Sequence, residues 1–226
     1  MATPIHETQP VLQLGAAPEE ADRAAILLHG RGSSAEAMAP LVHAVDPGGT
    51  AFLIPQAAGN RWYPNSAFAP LATNEPDLSS ALVAIDRIVA DLRARGVADD
   101  RIVLGGFSQG ACLAGEYAAR NARPYGGLFL LTGALIGPPG TPRDYPGSFG
   151  GMPVFIGSSD VDPWVSHDLI AATAEVLSAM GAQVDLRIYP GMGHTVNQDE
   201  IDAVQQLLAN GRPYGRRRAA DRRQSQ

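Results

Sequence analysis

Short apolar segments alternate with longer amphipathic segments along most of the chain, and this alternation limits the possible folds more than any other feature. Seven segments have the length and composition of β-strands: Val11–Leu14, Ala24–His29, Thr50–Ile54, Arg101–Gly105, Gly127–Thr132, Pro153–Gly157 and Val184–Tyr189. Four segments carry apolar residues at helical spacing: Leu82–Arg95, Gln109–Asn121, Val165–Met180 and Asp199–Asn210. Several of the short segments are apolar without interruption, which is typical of strands covered by helices on both faces. The sequence therefore predicts an α/β protein with a mostly parallel central sheet.

The length and the charge distribution predict one domain followed by a basic tail. The chain has 226 residues, and residues 1–210 suit a single domain. Residues 211–226 hold six arginines and one aspartate, and therefore carry a charge of +5. Since the whole chain carries −6, the first 210 residues carry −11. The tail has almost no apolar content, so we expect it to be disordered.

Charge and hydropathy also limit the possible partners and locations. A body as acidic as residues 1–210 repels polyanions, so we expect no binding of nucleic acid. The longest apolar stretch, residues 126–137, is shorter than the ~20 residues that a membrane-spanning helix needs. Residues 1–10 lack a signal-peptide pattern, so we expect a cytoplasmic protein without integral membrane association. No pattern in the sequence specifies an oligomeric state.

The clearest chemical motif is Gly106-Phe107-Ser108-Gln109-Gly110, which follows a predicted strand and precedes a predicted helix. This is the setting of the G-x-S-x-G nucleophile elbow, in which a serine in a tight turn projects its hydroxyl above the sheet. The N-terminus of the following helix favours negative charge that develops there. The alternative is a glycine-rich turn whose serine only caps the helix. A phosphate-binding loop is excluded because no Gly-Lys-Ser/Thr follows.

A serine nucleophile needs a base and an acid that orients the base, and both follow the serine in chains with this elbow. Only His167 and His194 follow Ser108. His194 lies in a glycine-rich loop after the last strand, whereas His167 lies early in a helical segment and is expected at the surface. The loop after the sixth strand offers two acids, Asp160 and Asp162, and Asp162 could instead cap the next helix.

Two backbone N–H groups are expected to form an oxyanion hole. One belongs to Gln109, directly after the nucleophile. The other belongs to Arg31, in the turn His29-Gly30-Arg31-Gly32 that follows the second strand. His29 precedes the nucleophile in the chain, and we expect it to anchor this loop rather than to act as a base. The single cysteine, Cys112, allows no internal disulfide and is expected in the core rather than in redox control.

The connection Gln56–Ser80 is about 25 residues long, and loops of that length are usually functional or disordered. It leaves the carboxyl end of its strand, at the sheet edge where Ser108 is expected, so Trp62 and Tyr63 are candidates for the wall of a substrate pocket. Alternatively, these two residues only pin the loop to the body. Arg31 is a third candidate for substrate binding, because a guanidinium favours substrates with a carboxylate or another acceptor.

A metal-dependent hydrolase is the alternative from a different class. Two aspartates and two histidines offer ligands for a divalent ion, namely Asp160, Asp162, His167 and His194. The sequence has no H-x-H or H-E-x-x-H cluster, however, and this interpretation leaves the serine elbow unexplained. A binding module without activity would usually lack a member of the triad, and candidates for all three are present here.

Four motifs in order resemble the phospholipase/carboxylesterase family of α/β-hydrolases, relatives of the acyl-protein thioesterases. They are His29-Gly30-Arg31-Gly32, Gly106-Phe107-Ser108-Gln109-Gly110, Asp162-Pro163-Trp164-Val165 and Gly193-His194. The resemblance extends from about residue 22 to residue 210. It implies the α/β-hydrolase fold, with helices on both faces of the sheet, and it places the catalytic acid on Asp162.

The resemblance also implies an activity. A member of this family is expected to hydrolyse an ester through an acyl-enzyme at Ser108, with a small-molecule ester as its partner and no metal or other cofactor. Acyl thioesters and lysophospholipids are the alternative substrates. This chain departs from acyl-protein thioesterases at Arg31, where they typically have an apolar residue, and in the form of residues 60–64. These departures argue against a long acyl channel and favour short- to medium-chain esters.

Overall fold

Seven strands form one sheet at the centre of the molecule. They are β1 (Val11–Gly15), β2 (Arg23–Leu28), β3 (Thr50–Pro55), β4 (Ile102–Phe107), β5 (Gly127–Leu131), β6 (Pro153–Ser159) and β7 (Gln183–Tyr189). In this computed structural model, which describes residues 4–209, the strand order is β1-β3-β2-β4-β5-β6-β7. β1 is antiparallel to β3, and all other neighbours are parallel. The predicted α/β class with a mostly parallel sheet is therefore confirmed.

Helices cover both faces of the sheet. The described part of the chain contains five α-helices: α1 (Ala39–Val45), α2 (Asp77–Ala94), α3 (Gln109–Arg120), α4 (His167–Ala179) and α5 (Gln198–Ala209). α1 and α5 share one buried cluster, in which Val42 and Val204 lie with Phe52 and Phe155 of the sheet. α2, α3 and α4 bury their apolar residues in the cluster on the opposite face. None of the described helices is long and apolar enough to cross a membrane.

The predicted strands are correct to within two residues at each end, whereas two helices differ from expectation. α1 is not predicted, because it is only seven residues long and buries only Val42 and Val45, too few to establish a helical period. α2 begins five residues before Leu82, because Leu78 and Ala81 continue its buried face. The other three predicted helices are present at nearly the expected positions.

The long connection after β3 is consequently shorter than predicted. Its last four residues belong to α2, and its middle contains two short 3₁₀ turns, Ala58–Asn60 and Leu71–Asn74. The predicted tail, residues 211–226, lies outside the described residues, and the division into one domain and a tail stays a prediction.

The parallel strands direct several loops to one edge of the sheet. β4 is the central strand of the seven, and Ser108 follows it directly. The loops after β2, β3, β6 and β7 leave from the same edge, because the carboxyl ends of parallel strands lie together. Together with Ser108 and Gln109, which follow β4, these loops carry every residue that the sequence predicts for the site.

Candidate active site

Ser108 lies in a strained turn between β4 and α3. Its φ of 56° and ψ of −120° are values that a non-glycine residue rarely adopts. Two glycines allow the turn to press against the end of β2. A Cβ at Gly106 would lie 2.7 Å from the carbonyl oxygen of Leu28, and a Cβ at Gly110 would lie 2.6 Å from that of His29. The spacing of the motif is therefore a steric requirement of this turn.

Ser108, His194 and Asp162 form a continuous chain of hydrogen bonds. Nε2 of His194 lies 2.8 Å from Oγ of Ser108, and Nδ1 lies 2.7 Å from Oδ2 of Asp162. An ionised carboxylate only accepts hydrogen bonds, so Nδ1 carries the proton and Nε2 accepts the serine hydroxyl. The Asp162 side chain is fully buried and that of His194 is 21% exposed. The carboxylate is thus shielded from water, whereas the imidazole is partly accessible.

The remaining bonds of these side chains distinguish the alternatives that the sequence left open. The Ser108 hydroxyl makes no capping bond to α3. Oδ1 of Asp162 accepts the backbone N–H groups of Trp164, at 2.8 Å, and Val165, at 2.9 Å, while its other oxygen contacts His194. Asp162 therefore holds the turn before α4 and also orients the base. Asp160 instead accepts the N–H of Gly191 at 2.7 Å.

The loop that carries His194 is fixed at both ends. The Ser159 hydroxyl donates to the carbonyl oxygen of Met192, and the Asn197 amide donates to the Met192 sulfur at 3.1 Å. Asn197 also caps α5. Its Oδ1 accepts the N–H of Glu200 at 2.9 Å, and its own N–H donates to Oε2 of Glu200 at 2.8 Å. This reciprocal pair is a capping box. The Asn-x-x-Glu spacing in the sequence marks the start of α5 at this point, and it is absent from the sequence-based prediction of the site.

His29 and His167 have surroundings that differ from those of His194. His29 is fully buried; its Nδ1 donates to the carbonyl of Gly30 at 2.8 Å and its Nε2 accepts the N–H of Ala57 at 3.1 Å. Burial lowers the pKa of His29, which favours the neutral ring that these two bonds require. His29 thus anchors its loop. His167 is the exposed first residue of α4.

The backbone N–H groups of Arg31 and Gln109 meet one requirement of an oxyanion hole. Neither donates a hydrogen bond to any protein acceptor within residues 4–209. Arg31 lies three residues beyond β2, and Gln109 lies two residues beyond β4, the neighbouring strand. Both donors are therefore available at the sheet edge that carries Ser108.

A cavity of about 500 Å³ opens beside the triad. Its walls come from the Arg31 turn, residues 63–68, the start of α3 and the Trp164-Val165 segment, together with Ser108 and His194. Trp164 is 71% exposed and forms an open rim. Cys112 lines the inner wall, and burial raises the pKa of its thiol to about 11, so the thiol is protonated at neutral pH.

Tyr63 and Arg31 line this cavity, whereas Trp62 does not. The prediction that Trp62 forms part of the pocket wall is therefore corrected. The Trp62 side chain is fully buried, its indole N–H donates to the carbonyl oxygen of His29 at 2.8 Å, and it packs 5.0 Å from the His29 ring. The Arg31 guanidinium donates to the carbonyl oxygens of Pro64, at 2.7 Å, and Asn65.

The four residues of the metal alternative do not converge. Asp162 and His194 bond to each other, Asp160 bonds to a backbone amide, and His167 points to the surface. Within residues 4–209, no group of three or more His, Cys, Asp or Glu side chains is placed to hold a metal ion. The geometry is thus that of a serine, a base and an acid.

Comparisons with known proteins agree with this geometry. The family model described as phospholipase/carboxylesterase matches residues 12–210. Acyl-protein thioesterase 1 of Neurospora crassa is 32% identical over 128 residues, which cover 52% of this chain and 49% of that protein. Lysophospholipase-like protein 1 of Mus musculus is 26% identical over 119 residues, which cover 52% and 50%. The chain thus aligns with about half the length of the curated relatives it matches.

Solved structures resemble the chain over most of its length. The phospholipase/carboxylesterase of Dyadobacter fermentans has a TM-score of 0.86 and 38% identity, and the match covers 90% of this chain and 97% of that one. The carboxylesterase of Bacillus cereus has a TM-score of 0.70 at 20% identity, with 90% and 95% covered, and supports the fold alone. The predicted α/β-hydrolase fold is confirmed.

Proposed function

Because this chain belongs to the phospholipase/carboxylesterase family, we propose that it is a serine carboxylesterase acting on short- to medium-chain carboxylic esters. The observation that carries this proposal is the hydrogen-bonded chain of Ser108, His194 and Asp162 beside an open cavity. A serine hydroxyl is a weak nucleophile, and a histidine that accepts its proton makes attack on a carbonyl possible at neutral pH. No side chain in this mechanism requires a metal.

The reaction proceeds in two halves. Oγ of Ser108 attacks the acyl carbonyl carbon while Nε2 of His194 takes the hydroxyl proton, and the ester C–O bond then breaks as His194 protonates the departing alcohol oxygen. Water next attacks the acyl-serine with His194 again as base, which releases the carboxylic acid and restores the serine. Asp162 stabilises the imidazolium in both halves. The N–H groups of Arg31 and Gln109 donate to the tetrahedral oxyanion.

The cavity supports the proposed size of the substrate. A volume of about 500 Å³ lies in the range of small-molecule sites and is shared between the acyl and alcohol parts. Its inner wall contains Tyr63, Ala67 and Cys112, which suit an apolar chain. The Arg31 guanidinium lies at the cavity wall, bonded to carbonyl oxygens rather than to a carboxylate. This charge favours esters with an acceptor or a negative group near the scissile bond.

Replacement of the triad residues tests the proposal. Ser108→Ala and His194→Ala should each lower kcat by several orders of magnitude on p-nitrophenyl esters graded by acyl length. The double variant should lose little more, because the triad acts as a unit. Ser148→Ala, in an exposed loop, is the matched control and should keep full activity. A serine-directed organophosphorus reagent should inactivate the wild type, and a chelator should not. Full activity of Ser108→Ala would refute the proposal.

Hydrolysis of acyl thioesters is a second candidate, favoured by the similarity to proteins named acyl-protein thioesterase 1. The same triad can attack either carbonyl. Values of kcat/KM for an oxygen ester and a thioester with the same acyl group distinguish the two. A higher kcat/KM for the oxygen ester is expected from the proposal, and a higher kcat/KM for the thioester favours the thioesterase. A lysophospholipid in the same panel tests the third substrate class.

A further inference from the structure

Trp62 bonds to both sequence segments that supply the proposed oxyanion donors. Its indole N–H donates to the carbonyl oxygen of His29 at 2.8 Å. Its backbone N–H donates to Oε1 of Gln109 at 2.9 Å, and Nε2 of Gln109 returns a bond of 2.9 Å to the carbonyl of Tyr63. One residue thus connects the loop after β2 with the first residue of α3.

These bonds act on the peptide units that matter for catalysis. The His29 carbonyl belongs to the peptide unit directly before the one that bears the Arg31 N–H. Gln109 itself bears the second N–H. Nδ1 of His29 donates to the carbonyl oxygen of Gly30 at 2.8 Å, and this carbonyl shares one planar peptide unit with the Arg31 N–H. Trp62 bonds the His29 carbonyl and packs against the His29 ring, so it supports the residue that fixes the plane of the first donor. The Gln109 side chain connects Trp62 to the second donor.

Trp62 itself has little freedom to move. It is fully buried, and its ring packs against those of His6 and His29, with centroid distances of 5.6 and 5.0 Å. Its carbonyl oxygen accepts the Nε2–H of His6 at 3.0 Å. A buried side chain held by these contacts can transmit a fixed geometry to the groups it bonds.

We infer that Trp62 is a positioning residue that sets the relative orientation of the Arg31 and Gln109 N–H groups. This inference rests on the proposed esterase function. Oxyanion donors act only when they point at the oxygen of the tetrahedral intermediate, and loss of one donor lowers kcat by ~10²–10³-fold. Misdirection of a donor should cost less than its loss.

The test removes the indole donor and keeps an aromatic ring. Trp62→Phe should lower kcat by about 10–100-fold on a p-nitrophenyl ester and change KM by less than about twofold. The affinity for phenylboronic acid, which forms a tetrahedral adduct with the serine, should fall by a similar factor. The matched control is Tyr125→Phe, because the buried Tyr125 hydroxyl also donates to a backbone carbonyl, that of Asn121, but far from the site. It should lower thermal stability without changing kcat.

A second variant tests the inference even if Trp62→Phe does not fold. Replacement of Trp62 by 3-benzothienylalanine keeps the bicyclic ring and exchanges only the N–H for sulfur, so it should reproduce the losses in kcat and boronate affinity. Unchanged kcat in this variant or in folded Trp62→Phe, or a kcat loss without a loss of boronate affinity, would overturn the inference. A wild type without esterase activity would instead overturn the proposed function, and the inference with it.

Discussion

A carboxylate orients a neighbouring histidine only when its own position is fixed, and Asp162 meets this condition. One of its oxygens accepts two backbone N–H groups, and the other is left for Nδ1 of His194. Asp160, two residues earlier, instead accepts a hydrogen bond from the N–H of Gly191 in the histidine loop. At the scale of single residues, therefore, the two acids of one loop have different tasks, orientation of the base and attachment of the loop.

This difference predicts different costs of substitution. Asp162→Asn should lower kcat by roughly 10⁴-fold, because an amide stabilises the wrong tautomer of the histidine. Asp160→Asn should keep most of the activity, since an amide oxygen can still accept the Gly191 N–H. Steady-state kinetics of both purified variants check the assignment. The opposite ranking would show that Asp160 is the acid.

Arg31 offers a prediction about selectivity. Arg31→Leu keeps the backbone N–H but removes the charge at the cavity wall. Its kcat/KM on plain fatty esters, relative to esters with a carboxylate in the acyl part, should rise by about tenfold. A competition assay with one ester of each kind measures this ratio directly. An unchanged ratio would mean that selectivity is set by other residues of the cavity.

Ser108 and His194 could be predicted to lie together because each is in a short motif at the end of a strand, whereas the choice of Asp162 over Asp160 came from the family resemblance. The position of Trp62 could not be predicted in the same way. Its partners His29 and Gln109 are 33 and 47 residues away, so its environment depends on how three loops meet. A large aromatic residue in a long loop is compatible with a pocket wall and with a buried support, and only the packing distinguishes them.

At the scale of elements, the N-terminus of α5 determines where the histidine loop ends. Asn197 and Glu200 cap the helix reciprocally, six residues or fewer after His194. Glu200 is fully buried, its Oε1 has no hydrogen-bond partner in the described residues, and burial raises the pKa of its carboxyl to about 7. This helix cap therefore contains a group that titrates near neutral pH.

The titration of Glu200 makes the helix cap sensitive to pH. Its carboxyl has a higher pKa in the folded chain than the ordinary value of 4.5, so ionisation opposes folding. The free energy of unfolding should fall as the pH rises from about 4.5 to about 7, by about 3 kcal/mol from this group. Glu200→Gln should remove this component, which urea unfolding of both proteins at several pH values measures. Parallel stability curves would contradict the assignment.

The lengths of the elements show what an amphipathic pattern can and cannot predict. The continuous apolar strands stand out because helices cover both of their faces. The pattern does not predict α1 because seven residues do not complete two turns, and its burial depends on packing against both α5 and the sheet. The amphipathic pattern does not predict the early start of α2, because proline and polar residues surround it, although Leu78 lies on the buried face of the helix.

At the scale of the whole molecule, the chain segment before β1 supports the loop after β3. His6 is buried, its Nδ1 accepts the N–H of Ala58 at 3.0 Å, and its Nε2 donates to the carbonyl of Trp62. Burial lowers the pKa of both His6 and His29. Two neutral histidines from distant parts of the sequence therefore hold this loop against the body.

The two histidines predict sensitivity to acid. Both histidines have lower pKa values in the folded chain than the ordinary 6.5. Between the folded and the ordinary pKa, the unfolded chain therefore binds more protons than the folded chain. Stability should therefore decrease as the pH falls below 6.5. His6→Gln can keep both hydrogen bonds without titrating, so its stability should decrease less. His43→Gln, at an exposed position, is the control and should follow the wild type in thermal unfolding between pH 7 and 5. Identical curves for all three proteins would show that His6 does not contribute to the loss of stability in acid.

The contrast between the two tryptophans gives the protein a pair of intrinsic optical probes. The chain has only these two, of which Trp62 is fully buried and Trp164 is 71% exposed at the cavity rim. Emission from Trp164 is accessible to a collisional quencher such as acrylamide, whereas emission from Trp62 is shielded until the chain unfolds. Quenching of the first can therefore report occupancy of the cavity, and a red shift of the second can report loss of the fold, in a single unlabelled sample.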